Sequence, residues 1–271
     1  IGHLEGFGKK TQQSILEEID RLRHEEQGRT KLAVVEQYAE PLVDYLRRTK
    51  GLKDIVIAGS YRRRKETVRD LDILATCKKG AKVMDRFVHY DEVQKVVSQG
   101  NTRSTVLLRS GFQVDLRVVP QVSYGSALLY FTGSKQHNIA IRKIAVKKKF
   151  KLNEYGIFQG DQRVAGRTEQ EAYKAVGLPF IEPELRENRG EIGAARKKGG
   201  LPKLIEPKDI RGDLHVHTKR TDGHHTIDEL VKAAREKGYD YIAISDHSKR
   251  VTVAHGLKPE QLRKEIDEID K

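Results

Sequence analysis

The 271-residue sequence predicts a mixed α/β (α+β) chain with more than one compact core. Three observations lead there. Short apolar runs of strand length, at residues 54–58, 70–76 and 111–119, end beside or carry polar and acidic residues. Segments with apolar residues at helical spacing lie between and around them. A charged, glycine-containing stretch over residues 186–212 then separates this pattern from a second one that reads strand, helix, strand.

The elements follow in order. Residues 4–19 form a Gly-rich turn and then an amphipathic helix, the look of a hairpin between two helices. Residues 32–48 form a second amphipathic segment, and residues 54–58 a buried strand that Gly59-Ser60 breaks. Residues 70–76 and 111–119 alternate polar and apolar side chains before running into buried strand, so three strands converge on a polar rim. Residues 126–150 read as helix interrupted at Thr132-Gly133-Ser134 and end in the basic run 147–151. Beyond the linker, residues 213–217 and 241–245 are strand-like and residues 227–237 helical, one β-α-β unit too short to close a core of its own.

Composition narrows the partners. Lys and Arg total 52 against 39 Asp and Glu, a net charge of +13 and a pI near 9.6, which favours a polyanion such as nucleic acid over a neutral partner, although a generic basic protein has the same balance. Hydrophobic residues make up 37% and mean hydropathy is −0.65, with no run long enough for a transmembrane helix, so a soluble, cytoplasmic chain without a membrane partner is expected. The one cysteine, Cys77, excludes an internal disulfide and a Cys-rich zinc ribbon, and reads as a sheet-edge residue rather than a nucleophile. Ile1 falls inside an apparent motif without a signal-peptide pattern, as in a piece of a longer protein.

Asp70 and Asp72 stand two apart on a predicted strand, so their carboxylates project from one face within a few ångströms. Such a pair repels unless cations intervene, and magnesium favours hard oxygen ligands. Asp115 on another strand completes a rim suited to two metal ions. An Asp-x-Asp that merely caps a turn is the alternative. Against it, Gly59-Ser60 follows a strand and leads into Tyr61-Arg62-Arg63-Arg64-Lys65, where a hydroxyl and guanidinium groups can grip phosphate oxygens.

The run from Gly59-Ser60 through Arg63 to Asp70-Leu71-Asp72 resembles the signature of the family X DNA polymerases, within the polymerase-beta-like nucleotidyltransferases. Tyr130-Phe131-Thr132-Gly133-Ser134, followed by Asn138 and Arg142, resembles that family's nucleotide-binding helix. The resemblance implies template-directed DNA synthesis in short-gap DNA repair, by transfer of a deoxynucleotide from a dNTP to a primer 3′-hydroxyl, with two Mg2+ or Mn2+ ions on Asp70, Asp72 and Asp115. It implies that Ser60, Gly59 and Arg63 meet the triphosphate, and Arg29 by spacing alone. Tyr130, Phe131 and Gly133 would lie against the sugar, Asn138 at the base edge, Arg142 toward the template and Arg117 in the polar network. Tyr130 and Phe131 as simple core aromatics remain the alternative. The pattern departs at Gln113, where family members carry an arginine.

Gly6, Gly8, Lys9 and Lys10 resemble the second half of a helix-hairpin-helix that meets DNA backbone, and the basic run 147–151 either touches template phosphates or is a solvated helix end. His215 and His217, then Asp222, then Asp246-His247 resemble the opening motifs of a PHP domain, a partial site for Zn2+ or Mn2+ whose remaining ligands are expected beyond Lys271. The implied layout is a helix-hairpin-helix remnant over residues 1–50, a nucleotidyltransferase palm with mixed sheet over 51–121, a thumb-type α+β subdomain over 122–188, a linker over 189–211 and the start of a PHP domain over 212–271. The implied partners are gapped or primer-template DNA and dNTP, with a monomer expected in the nucleoid of a prokaryotic cytoplasm. Competing functions are a metal-dependent PHP phosphoesterase or 3′-5′ nuclease, and a DNA-binding scaffold whose catalytic site is unused.

Overall fold

A computed structural model describes residues 28–77, 80–197 and 199–270. The expected hairpin over residues 4–19, with Gly6, Gly8, Lys9 and Lys10, lies outside the described residues. The chain divides into two compact units between Leu201 and Pro202.

In the first unit, strand β1 (Thr30–Lys31) leads into helix α1 (Leu32–Arg47). Val35, Ala39, Leu42, Val43 and Leu46 repeat at helical spacing and are all buried, so one stripe of α1 faces the core. Strand β2 (Leu52–Ile57), the one-turn helix α2 (Gly59–Arg62), β3 (Thr67–Val68) and β4 (Asp70–Cys77) follow. Helix α3 (Gly80–Val88) then connects to β5 (Val93–Gln99), β6 (Arg103–Leu108) and β7 (Gln113–Val119). The main sheet runs in the order β2-β4-β7-β6-β5, with β4 and β7 parallel and the other neighbours antiparallel. The mixed sheet matches the expected palm.

Its two faces are used differently. Leu71, Ile73 and Ala75 of β4 and Val114, Leu116 and Val118 of β7 join one buried cluster with α1 and Phe87 of α3. Leu74 and Val119, on the opposite face, pack with Ala127 and Leu128 of helix α4 (Tyr124–Thr132). Alternation along a strand therefore puts Asp70, Asp72 and Asp115 on the α4 side.

Helix α4 passes to α5 (Lys135–Lys147) through Gly133 and Ser134, the interruption the sequence predicts. Ser134 caps α5, its Oγ accepting the His137 N–H at 3.2 Å. Strands β8 (Lys151–Asn153), β9 (Gly156–Gln159) and β10 (Gln162–Ala165) form a small antiparallel sheet, and helix α6 (Glu169–Ala175) follows. Leu129, Ile141, Leu152, Ile157 and Tyr173 make this subdomain's core. A Cβ on Gly125 would meet the Thr168 backbone at 2.0 Å, so only glycine admits the approach of this turn to α4.

Two expectations are corrected. The linker expected over residues 189–211 begins too early, because residues up to Leu201 belong to the first unit and include helix α7 (Glu191–Ala194). Its charged residues have internal partners: Glu191 is buried, lies 2.6 Å from His137 Nδ1, and accepts the N–H groups of Asn188 and Arg189. The second compact unit takes in residues 202–211 as well as the strand-helix-strand pattern expected from residue 212. Cys77 ends β4, an interior strand, and packs partly buried on the core rather than at a sheet edge.

The second unit contains β11 (Gly212–Val216), helix α8 (Ile227–Glu236), β12 (Tyr241–Ile244) and helix α9 (Pro259–Ile269). The two strands pair in parallel around the α8 crossover, as the β-α-β reading predicts. Thr226 and Glu229 form a reciprocal capping box that starts α8. Ala254 and Leu257 are its buried apolar side chains among the described residues.

Candidate functional site

The parallel pairing of β4 with β7 sets Asp72 directly opposite Asp115, and Asp70 opposite Gln113. Residues so paired lie roughly 5 Å apart, so two carboxylates from distant segments share one patch with the third. Burial first, and then the charges of Asp70 and Asp115, raise the Asp72 carboxyl to about 6 against the pull of Arg117 and Arg103. Asp115 goes the other way. Burial works to raise it, but hydrogen bonds from Thr105 at 2.6 Å, Arg103 and Gln113 hold it below the usual range. Gln113, where the family pattern has arginine, therefore still donates to Asp115, while the cation comes from Arg103 on β6.

Gly59 begins α2 at φ +61°, and a Cβ there would stand 2.8 Å from Asp72 Oδ2. Glycine is needed twice over, for the left-handed backbone and for the contact with the carboxylate. A cleft of about 740 Å³ opens beside it, lined by Gly59, Ser60, Arg63, Asp70 and Asp72 together with Tyr130, Phe131, Gly133, Asn138 and Arg142. The α4–α5 segment and the Asp70–Asp72 end of β4 thus meet at one cavity, as the sequence motifs predict, while Asp115 is placed beside it by its pairing with Asp72 and does not line it. Arg69 and Lys135 also line it, and sequence reasoning passed over both.

Several cleft side chains are already engaged. Arg63 donates to Glu187 at 2.8 Å and to the Thr132 carbonyl at 2.6 Å. Asn138 donates its amide to the Tyr130 carbonyl at 2.7 Å. Arg142 lies over the Tyr130 ring at 5.0 Å and Arg117 over Phe131 at 4.5 Å, while Tyr130 and Phe131 meet edge to face. Arg29 is elsewhere: its guanidinium bonds the Thr67 hydroxyl and carbonyl, and it does not line the cleft.

Behind the cleft, Arg62 grips Glu169 through two bonds of 3.0 and 2.6 Å, and fully buried Arg186 reaches the same carboxylate at 2.5 Å. Burial works to raise Glu169, and the two guanidiniums outweigh it and hold the carboxyl low. This arrangement ties α2 to α6 and sets the relative position of the palm sheet and the small subdomain. Burial lowers the His137 imidazole, so its neutral form donates from Nδ1 to Glu191 and accepts the Tyr173 hydroxyl at Nε2, 2.9 Å away. Neither network was read from the sequence, since charged residues far apart in the chain give no local signal of pairing.

In the second unit, His217, Asp222 and His247 offer ligand atoms within 4.8 Å of one another. His217 Nδ1 lies 2.7 Å from the exposed Asp222. That hydrogen bond holds the Asp222 carboxyl low. His215 stacks on His217 with centroids 4.9 Å apart but stands outside the three-residue cluster. Asp246 is occupied by Thr218 and Thr221, beside buried Glu265.

A mixed sheet carrying three facing aspartates above a cleft with a Gly-Ser-Arg wall defines a polymerase-beta-like fold. A solved ternary primer-template complex of Leishmania infantum polymerase beta shares it, with a TM-score of 0.53, 21% identity, and cover of 68% of this chain and 95% of that one. The family described as DNA polymerase beta thumb matches residues 127–187, and the PHP domain family matches residues 213–268. Repair DNA polymerase X of African swine fever virus is 30% identical over 142 residues, 49% of this chain and 82% of that protein. The DNA polymerase/3′-5′ exonuclease PolX of Bacillus subtilis is 34% identical over 98% of this chain, which spans 47% of that protein's length. The chain belongs to the family X DNA polymerases.

Proposed function

We propose that this chain is a template-directed DNA polymerase that adds a deoxynucleotide to a primer 3′-hydroxyl within short gaps. The observation that carries the reading is the facing of Asp72 and Asp115 on parallel neighbours, with Asp70 and the Gly59-Ser60-Arg63 segment lining the cleft beside them. The donor set is all oxygen, and the raised Asp72 carboxyl marks a place where negative charge lacks a compensating cation, so the site fits magnesium or manganese. Asp70, Asp72 and Asp115 would hold two such ions, which lower the pKa of an attacking hydroxyl and neutralise a leaving diphosphate.

The chain's own residues do the rest. Ser60 and Arg63 grip phosphate oxygens, Arg63 exchanging Glu187 for the triphosphate. Tyr130 and Phe131 pack against the sugar and select against a 2′-hydroxyl, Asn138 turns its amide from the Tyr130 carbonyl to the base edge, and Arg142 faces the template. Arg117, stacked over Phe131, belongs to the polar network beside the carboxylates and to the DNA-binding residues. The excess of cations, +13 overall, suits a DNA partner, and a monomer in a prokaryotic nucleoid goes with this reading. No helix among the described residues is long and apolar enough to cross a membrane.

The experiment is single-nucleotide incorporation with magnesium on a gapped duplex and on an open primer-template, with the matching dNTP and rNTP. Template-directed addition that is faster on the gap and favours dNTP is the expected result; no addition on either substrate would sink the reading. A second reading, a metal-dependent phosphoesterase, rests on the His217–Asp222–His247 cluster, whose two imidazoles and one carboxylate suit zinc or manganese.

A further inference from the structure

Asp115 is the most heavily bonded of the three aspartates among the described residues. Its Oδ1 accepts the Thr105 hydroxyl at 2.6 Å and Arg103 through Nη2 at 3.1 Å and Nε at 3.3 Å. Its Oδ2 accepts only the Gln113 amide, at 3.1 Å. A carboxylate oxygen has two lone pairs, so Oδ1 is fully subscribed and Oδ2 retains one acceptor position.

Strand register explains how Arg103 gets there. Thr105 pairs with Asp115 across β6 and β7, and Arg103 pairs with Arg117. Two arginines directly opposite on neighbouring strands repel, so this pairing persists where carboxylates lie among the guanidiniums. The Arg103 side chain is 55% exposed, so its pairing with Asp115 is screened by water on one side and adds little to folding. Fold stability therefore gives little reason for it.

We propose that Arg103 is a positioning residue for Asp115: with Thr105 it fixes Oδ1 and thereby turns Oδ2 to the reacting groups. The inference rests on the reading of Asp115 as a reaction carboxylate. Gln113 touches the same group but carries no charge, so the orienting cation comes from the adjacent strand.

The test is single-nucleotide incorporation on a gapped duplex by Arg103→Ala, Arg103→Lys, and the double variant Arg103→Ala/Gln113→Arg. Thermal midpoints and DNA affinity at several salt concentrations accompany it, with Asp115→Asn as control. Loss of a residue that orients a ligand side chain typically costs about 10–100-fold, so Arg103→Ala is expected to lose that much in kcat, with the nucleotide KM within about twofold. Arg103→Lys should fall between. An arginine at position 113 starts from a side chain already 3.1 Å from Asp115, so the double variant should recover most of the loss, which a merely structural role would not permit. Unchanged kcat in Arg103→Ala overturns the inference, and so does weaker DNA binding with a shallower salt slope at unchanged kcat, the mark of a phosphate contact. Failure of the double variant to recover overturns it as well. Should Arg103→Ala not fold, Arg103→Lys decides by the same kcat criterion. If Asp115→Asn itself retains full turnover, the polymerase-site reading fails instead.

Discussion

The two candidate metal-binding places in this chain are built on unlike foundations. Asp70, Asp72 and Asp115 stand on interior strands of a five-stranded sheet whose other face is closed by α1 and α3. His217, Asp222 and His247 stand near the ends of a two-stranded sheet whose Leu214 and Tyr241 remain exposed at 70% and 52%. A ligand group keeps its geometry only as well as the packing behind it. The difference teaches that similar-looking acid and imidazole motifs need not carry equal chemistry, and that the buried sheet is where strong dependence on single residues should appear.

The largest expected effect is at Asp115. Asp115→Asn should lower incorporation on gapped DNA by about a thousandfold while leaving DNA affinity nearly intact, since an oxygen ligand is lost with little change in surface charge. Rates and affinities measured on one duplex check this, and near-normal turnover would erase the contrast between the two places.

Asp72→Asn should separate function from stability. A carboxyl raised in the folded state contributes stability below its unfolded pKa near 3.8, and that contribution is lost as pH rises through about 6. At pH 7.5 without divalent metal the native chain bears the penalty, so Asp72→Asn should abolish incorporation yet raise the thermal midpoint by a few degrees, about 1–2 kcal/mol after allowance for partial exposure. Added magnesium should stabilise the native chain and not the variant. Calorimetry at pH 4.5 and 7.5 tests the sign, and a variant less stable at pH 7.5 would refute the electrostatic account.

Glu265 offers the corresponding test in the second unit. Burial first, then its contact with Asp246, raises its carboxyl to about 7. The stability it contributes is full below about 4.5 and lost as pH rises through 7, so Glu265→Gln should flatten that decline in the unfolding of this unit. Hydrogen exchange of α9 between pH 5 and 8 reads it; a slope identical to the native one would remove Glu265 as its source. The smallest effect is expected at the histidines. Manganese-dependent release of 3′ nucleotides from single-stranded DNA should be slight in the native chain, and His215→Ala/His217→Ala should barely alter it, because the described cluster supplies three ligands on a thinly packed support. Robust release that the double variant abolishes would put the two places on an equal footing.

Much of the palm was legible because strand alternation and the Gly59-Ser60 break are local signals. The carboxylates, Gly59, Ser60, Arg63 and the Tyr130–Arg142 segment could be named from spacing and resemblance, and they border one cavity or face one another across β4 and β7. Arg103 and Thr105 could not, since their relevance depends on the register between β6 and β7, which no residue in either strand announces. Residues 186–201 misled for a related reason: Arg186 and Glu191 look like solvated linker charges until Glu169, His137 and the backbone near residue 188 satisfy them. Arg29 shows the limit of ungapped spacing, as its fork is spent on Thr67.

The parallel pairing of β4 with β7 also has a consequence for how the chain acquires its shape. Between these two neighbours the chain must first lay down α3, β5 and β6, so Asp72 and Asp115 meet only through a contact between distant segments. Such contacts close late, because the entropy of the intervening loop is lost before the pairing rewards it. Here the closing step also brings like charges together, which favours nucleation at the apolar packing of α1 against the sheet. A partly folded chain therefore has no assembled carboxylate rim, and on the function proposed above a divalent metal would bind only the finished rim and so slow the last folding stage's reversal.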